Sequence, residues 1–316
     1  MTNHKDNRKA IILILLGMTV FALQDTFIKL LSEDTNIYLI YFSRSLIGLF
    51  VVFTYLKIKK IPISIKTYYP LLTFVRTLAF FFGFSLYYYS LTKLSLAMAV
   101  TLFFVSPFFT TIFSMIIIKE KVGWRRWMAI LMGFIGVYLV MNPNFNDFNI
   151  YSLFPVMCAL CYSFTVVIQK KTSDKDSLFS QVIHIYISAI IFSIIIQSSF
   201  YAFNFQPDIV EKYKFLLMGW DISSYTNFIM LVVIGFTGVT GFLCLFGAYN
   251  IGSPSTIAPF EYVIILWAIF ISWLLWGDTL NGKAYIGLIF IVFASLYTFL
   301  REMNLNKKIS LDKPLR

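Results

Sequence analysis

An all-α integral membrane protein with ten transmembrane helices, set out as two inverted five-helix repeats, is the fold class this sequence predicts. Three observations predict it: apolar runs of membrane length recur along the whole chain, the basic residues between them fall on alternate turns, and the two halves end alike. The 316 residues are 59% hydrophobic and 13% charged, with mean hydropathy +0.79. A soluble domain is about 45–50% apolar and about 25% charged.

A membrane-crossing helix needs roughly 20 apolar residues. Such runs occupy Ala10–Leu31, Ile37–Leu56, Tyr69–Leu91, Leu96–Ile118 and Trp124–Met141 in the first half. In the second half they occupy Ile150–Gln169, Phe179–Phe203, Asn227–Tyr249, Pro254–Trp276 and Ala284–Phe299. The first run is too long for a cleavable leader and has no small-residue cleavage site after it, so it is expected to be retained. With the amino terminus taken as cytoplasmic, nineteen Lys and Arg between the runs or at their edges (Arg125 and Arg126 included) face the cytoplasm and four (Lys93, Lys212, Lys214 and Lys283) face the other side. That bias orients membrane proteins with their positive turns inside, which puts both termini in the cytoplasm and a multi-pass chain in the inner (plasma) membrane. The net charge of +11 is therefore topology, with no nucleic-acid partner implied.

Both halves close on an apolar span, an acidic turn (Glu120, Asp278) and a final span with small residues. Because five spans is an odd number, the second copy enters the membrane upside down relative to the first. The expected units are 10–141, 150–300 and a basic cytoplasmic tail, 301–316. Inverted repeats are a recurring plan of secondary transporters, which hold solute near the midplane where the copies meet.

Particular residues carry a resemblance as well. Ala248-Tyr249, Ala258-Pro259-Phe260-Glu261-Tyr262, Trp267-Ala268 and Trp273-Leu274-Leu275-Trp276-Gly277-Asp278 resemble the second half of EamA-type proteins of the drug/metabolite transporter superfamily, with Asp278 where glutamate is usual. "SLAMAVTLFFVSPFFTTIFSMIIIKEK", with Pro107 and Glu120, is similar to the first-half signature. The resemblance spans residues 10–300 and implies two five-helix repeats that move a small organic metabolite. It does not say which metabolite, since the superfamily carries amino acids, nucleotide derivatives, vitamins and drugs.

Ionisable groups inside membrane helices are costly and usually face a cavity or a partner. Asp25 and Lys29 lie in the first span, Arg44 in the second, Arg76 in the third, His184 in the seventh and Glu261 in the ninth. Asp25 and Arg44 share a depth in consecutive spans, so they either pair with each other or hold a charged end of the solute. Lys29 is near enough to the surface to snorkel. Arg76 and Glu261 also share a depth; either they pair across the repeats, or Glu261 faces the cavity with Tyr262, Tyr249 and Trp267. A carboxylate among aromatic rings suits an organic cation. With 19% aromatic residues, most rings simply pack or face lipid.

Pro107, Pro155 and Pro259 are the expected helix breaks, since proline lacks an amide donor. Cys158 and Cys161 have C-x-x-C spacing without a second pair or a nearby histidine, so no metal and no cofactor is expected. No H-E-x-x-H motif or phosphate-cradling loop is present, which disfavours an enzyme and ATP-driven transport within this chain. The expected function is a gradient- or exchange-driven transporter for a cationic, zwitterionic or aromatic solute such as an amino acid or a nucleoside- or vitamin-like compound. It would be coupled to H+ or a counter-solute, in a monomer or homodimer; a lipid-carrier flippase or membrane-embedded enzyme is the alternative.

Overall fold

The structure, a computed structural model, describes residues 7–141, 150–203, 205–252 and 257–277, together with helical backbone at 282–283, 286–287, 289–290, 293 and 297. The Asp278 turn, most of the expected tenth span and the 301–316 tail lie outside the described residues.

Three long helices open the chain: α1 Asn7–Leu31, α2 Ile37–Ile58 and α3 Pro70–Leu91. Asn36 caps α2 by accepting from the Tyr38 amide at 2.7 Å, satisfying a donor that a helix start leaves open. Pro70 sits in the first turn of α3, where the missing N–H has no helical acceptor to lose. The fourth span is broken into α4 Leu96–Phe103, α5 Ser106–Phe113 and a π-turn, Ser114–Ile118. α6 follows at Trp124–Met141.

The second half has α7 Leu153–Thr172, α8 Leu178–Phe203, two short helices (α9 Pro207–Lys212 and α10 Lys214–Leu217) and α11 Tyr225–Ile251. The ninth span begins as a 3₁₀ turn, Ala258–Tyr262, and continues as α12 Val263–Trp276. Among the described residues, seven helical spans are long and apolar enough to cross a membrane, and Phe260–Trp276 is a shorter apolar one. Phe50, Leu71 and Ile116 are exposed on the outer wall, while Asp25, Arg44, Arg76 and Glu261 are buried. Apolar outside and polar within is the arrangement a lipid solvent selects.

The helices pack in a pattern that survives exchange of each span for the one five places on. α1 packs on α11 as α7 packs on α3, and α2 packs on α11 as α8 packs on α3. α1 on α12 corresponds to α7 on α5, while the α2–α8 and α4–α12 contacts map onto themselves. Two lysines follow the same rule. Lys29, near the end of α1, donates at 2.9 Å to the carbonyls of Leu91 and Leu94 at the end of α3. Lys170, near the end of α7, donates to the Asn250 carbonyl at the end of α11. Lys29 thus ends on protein carbonyls where α3 stops.

The proline positions divide. At Pro107 the backbone leaves the helix at Phe104–Val105 and restarts at Ser106. α7 braces the restarted helix beside the break: Ser163 Oγ donates to the Ser106 carbonyl at 2.8 Å and receives from Thr110 Oγ1 at 3.0 Å. Pro259 lies in the first turn of the 3₁₀ segment. Pro155 breaks nothing. It is the third residue of α7, where amides have no acceptor one turn back, and the helix runs unbroken to Thr172.

Candidate functional site

A cavity opens between α1, α2, α3, α4, α7, α11 and α12. Its polar wall is Gln24, Asp25, Arg44, Tyr87, Tyr88 and Tyr162, and its rings are Phe21, Phe80, Phe84, Phe103 and Phe242. Met18, Val100, Leu245 and Ile264 complete the lining. Asp25 lies six residues before the end of α1 and Arg44 seven after the start of α2, which at 1.5 Å per residue places both about 10 Å below the ends of their helices.

Asp25 and Arg44 come together but do not bond directly. Asp25 Oδ2 accepts from Tyr87 Oη at 2.9 Å, and Arg44 Nη1 donates to Tyr88 Oη at 3.0 Å. Adjacent tyrosines on α3 therefore hold opposite charges side by side, near enough for Arg44 to act on Asp25 electrostatically. Gln24 donates to the same Tyr88 oxygen at 3.3 Å. The Arg44 guanidinium lies 4.7 Å from the Phe242 ring centre, a cation–π contact. Arg44 Nε and Gln24 Oε1 are buried without a hydrogen-bond partner. Both face Gly238, where a Cβ would meet them at 2.7 and 3.1 Å, so glycine is what admits the guanidinium here.

Glu261 stands behind the cavity wall. It is 0% exposed, and its Oε1 accepts from Tyr162 Oη at 2.7 Å and Tyr249 Oη at 2.5 Å, while Oε2 has no donor. Tyr162 has one side on the cavity and its hydroxyl on Glu261, so it separates the two. The 3₁₀ turn at Ala258–Tyr262 delivers the carboxylate to α7 and α11.

Neither expectation for Glu261, a pairing with Arg76 or a place in the cavity wall, matches these contacts. Arg76 turns instead to α8, where Nη2 donates to the Gln181 carbonyl at 3.3 Å, and it lies 5.9 Å from the Phe246 ring. Trp267 and Tyr262 are not in the cavity wall. Trp267 is 37% exposed and donates to Thr19 Oγ1 at 3.0 Å from outside the bundle. Tyr262 packs on Phe104 at 5.1 Å, with its ring where a Gly133 Cβ would stand. Tyr249 serves Glu261. His184 binds the Ile65 carbonyl at 2.8 Å, away from the cavity.

Sequence reasoning did not single out Tyr162. A tyrosine in an apolar span carries no charge to draw attention, and only its neighbour across the bundle shows what the hydroxyl does. Cys161, beside Tyr162, fills the gap opposite Gly83, which lets α3 and α7 approach closely; Cys158, Cys161 and Cys244 are free thiols.

Opposite charges in an aromatic chamber can hold a zwitterion or a cation together with a planar ring. Comparison with known proteins agrees in kind. Residues 8–142 and again 149–300 match the EamA-like transporter family. The S-adenosylmethionine uptake transporter of Rickettsia prowazekii (strain Madrid E) is 25% identical over 76% of this chain and 75% of its own. The riboflavin transporter of Vibrio cholerae serotype O1 is 26% identical over 78% of this chain and 77% of its own. A solved crystal structure, 15% identical, superposes with TM-score 0.70 over 94% of this chain and 99% of the other, which is a likeness of fold.

Proposed function

Because the chain belongs to the EamA-like transporter family and is a multi-pass membrane transporter of small metabolites, we propose that its solute is a cationic or zwitterionic compound with a planar heterocycle, of the S-adenosylmethionine type. The observation that carries this reading is the side-by-side presentation of Asp25 and Arg44 to a cavity walled by aromatic rings. S-adenosylmethionine offers an ammonium and a sulfonium for Asp25, a carboxylate for Arg44 and an adenine for the rings. Riboflavin, the solute in another relative's name, is uncharged and would leave the desolvated pair unanswered, a cost that sets specificity.

Transport proceeds by alternating access between two inverted repeats, 10–141 and 150–300. The exchange pattern of helix packing supports this arrangement, as do the breaks at Pro107 and Pro259 in corresponding spans. Glu261, Tyr249 and Tyr162 form the joint on which the ninth span moves against α7 and α11. The termini are cytoplasmic, the membrane is the inner (plasma) membrane, and the driving partner is H+ or a counter-transported solute.

The test is uptake by the purified protein in proteoliposomes. Saturable S-adenosylmethionine uptake, with riboflavin at least 10-fold weaker, is the expected outcome. Riboflavin uptake as good as that of S-adenosylmethionine, or no saturable uptake of the latter, refutes the assignment.

A further inference from the structure

Arg76 is completely buried in α3, yet only its Nη2 forms a hydrogen bond, the 3.3 Å contact to the Gln181 carbonyl; Nε and Nη1 have no partner. Asp176 is within electrostatic reach, but its oxygens accept from Thr67 Oγ1 and the Tyr68 amide. Burying a guanidinium with unused donors costs more than burying an apolar side chain of similar size. A fold that needed only volume at this position would be more stable without the charge.

The surroundings point to a use. Phe80, one helical turn from Arg76 on α3, packs against Phe242 of α11 at 5.3 Å, and Phe246, the next turn of α11, packs on Phe242 at 5.5 Å. Phe80 and Phe242 belong to the cavity wall, and Phe246 lies beyond it toward the end of α11. Arg44 lies over Phe242 and Arg76 over Phe246. Two buried guanidinium groups thus lie against one run of rings, Arg44 at the cavity and Arg76 beside Phe246, nearer the end of α11 that the charge distribution makes cytoplasmic.

We propose that Arg76 is a second binding station for the anionic group of the solute, at the Phe246 end of the Phe80–Phe242–Phe246 floor. A carboxylate that leaves Arg44 when the floor opens meets the unused Nε and Nη1 of Arg76, whose planar fork fits two carboxylate oxygens. This proposal rests on the reading of the protein as a carrier of a carboxylate-bearing solute.

Two measurements on Arg76→Met and Arg76→Gln test it. The first is thermal stability of the solubilised protein without solute: Arg76→Met should unfold at the wild-type temperature or above, because a charge kept for a ligand is a burden to the fold. The second is sided transport of S-adenosylmethionine in vesicles of each orientation. Arg76→Gln should raise the half-saturating concentration at the cytoplasmic face at least 10-fold and leave that at the outer face within about 2-fold. The methyl ester, which lacks the carboxylate, should be indifferent to the substitution. A clear loss of stability in Arg76→Met overturns the proposal by giving Arg76 a structural role, and so does unchanged cytoplasmic-face transport in Arg76→Gln. If the wild-type protein moves no S-adenosylmethionine, the solute assignment fails while the stability measurement still decides the status of Arg76.

Discussion

Asp25 and Glu261 are both carboxylates buried in membrane-spanning segments, but their surroundings differ. Asp25 lines the cavity, takes one hydrogen bond from Tyr87 and has the Arg44 cation close by. Glu261 is sealed behind Tyr162, takes two tyrosine hydroxyls on one oxygen and has no hydrogen-bond donor on the other. An acid in an apolar span is therefore not by itself the solute's contact. On the proposed function, the acid that shares the cavity with an opposite charge reads the solute, and the one locked between α7, α11 and the 3₁₀ turn joins moving parts.

The largest effect should come from Asp25→Asn, which removes the cavity's negative charge and leaves Arg44 unbalanced. Uptake of S-adenosylmethionine should fall about 100-fold, equivalent to about 2.7 kcal/mol, in protein that remains monodisperse by size exclusion. Uptake within 3-fold of wild type would erase the distinction between the two acids. Tyr162→Phe comes next. It keeps the ring in the cavity wall but removes one of the two hydroxyls on Glu261. The maximal rate should drop about 10-fold with the half-saturating concentration within 2-fold; the reverse split would make Tyr162 a solute contact only.

Gly238→Ala should act on the cavity alone. Its Cβ would stand 2.7 Å from Arg44 Nε, so the guanidinium must shift, and affinity for S-adenosylmethionine should weaken about 5-fold. An unchanged affinity would mean that the position of Arg44 does not matter. The smallest effect is expected from Trp267→Phe, less than 2-fold on uptake, because that ring lies outside the bundle and its indole bonds Thr19. A severe loss would return Trp267 to the site. Single cysteines in place of Lys93, in the α3–α4 turn, and Lys175, in the α7–α8 turn, should label from opposite sides of the membrane, with Lys175 inside.

Much of the helical frame was legible because lipid imposes a simple rule on backbone polar groups, and apolar runs of about 20 residues record it. Helices α1, α2, α3, α7, α8 and α11 lie where such runs lie. Pro107 was readable as a break from its position deep in a span, whereas Pro155 misled because the start of α7 could not be fixed to the residue. In the site, Asp25 and Arg44 could be brought together by counting depth along consecutive spans. Depth also left a pairing of Arg76 with Glu261 open, which the contacts do not make, because equal depth says nothing of which way a side chain faces. Arg76 points at α8, and Glu261 reaches α7 and α11. Of the tyrosines that hold the charges only Tyr249 was placed beside its carboxylate, since a tyrosine that packs and one that hydrogen-bonds a carboxylate are the same letter.

The central claim is that Asp25, and not Glu261, touches the solute. Equilibrium binding of S-adenosylmethionine to solubilised Asp25→Asn and Glu261→Gln, measured in parallel with the wild-type protein, tests it most directly. The account predicts a loss of binding of at least 30-fold in Asp25→Asn and affinity within about 3-fold of wild type in Glu261→Gln. Binding retained by Asp25→Asn and lost by folded Glu261→Gln would contradict it.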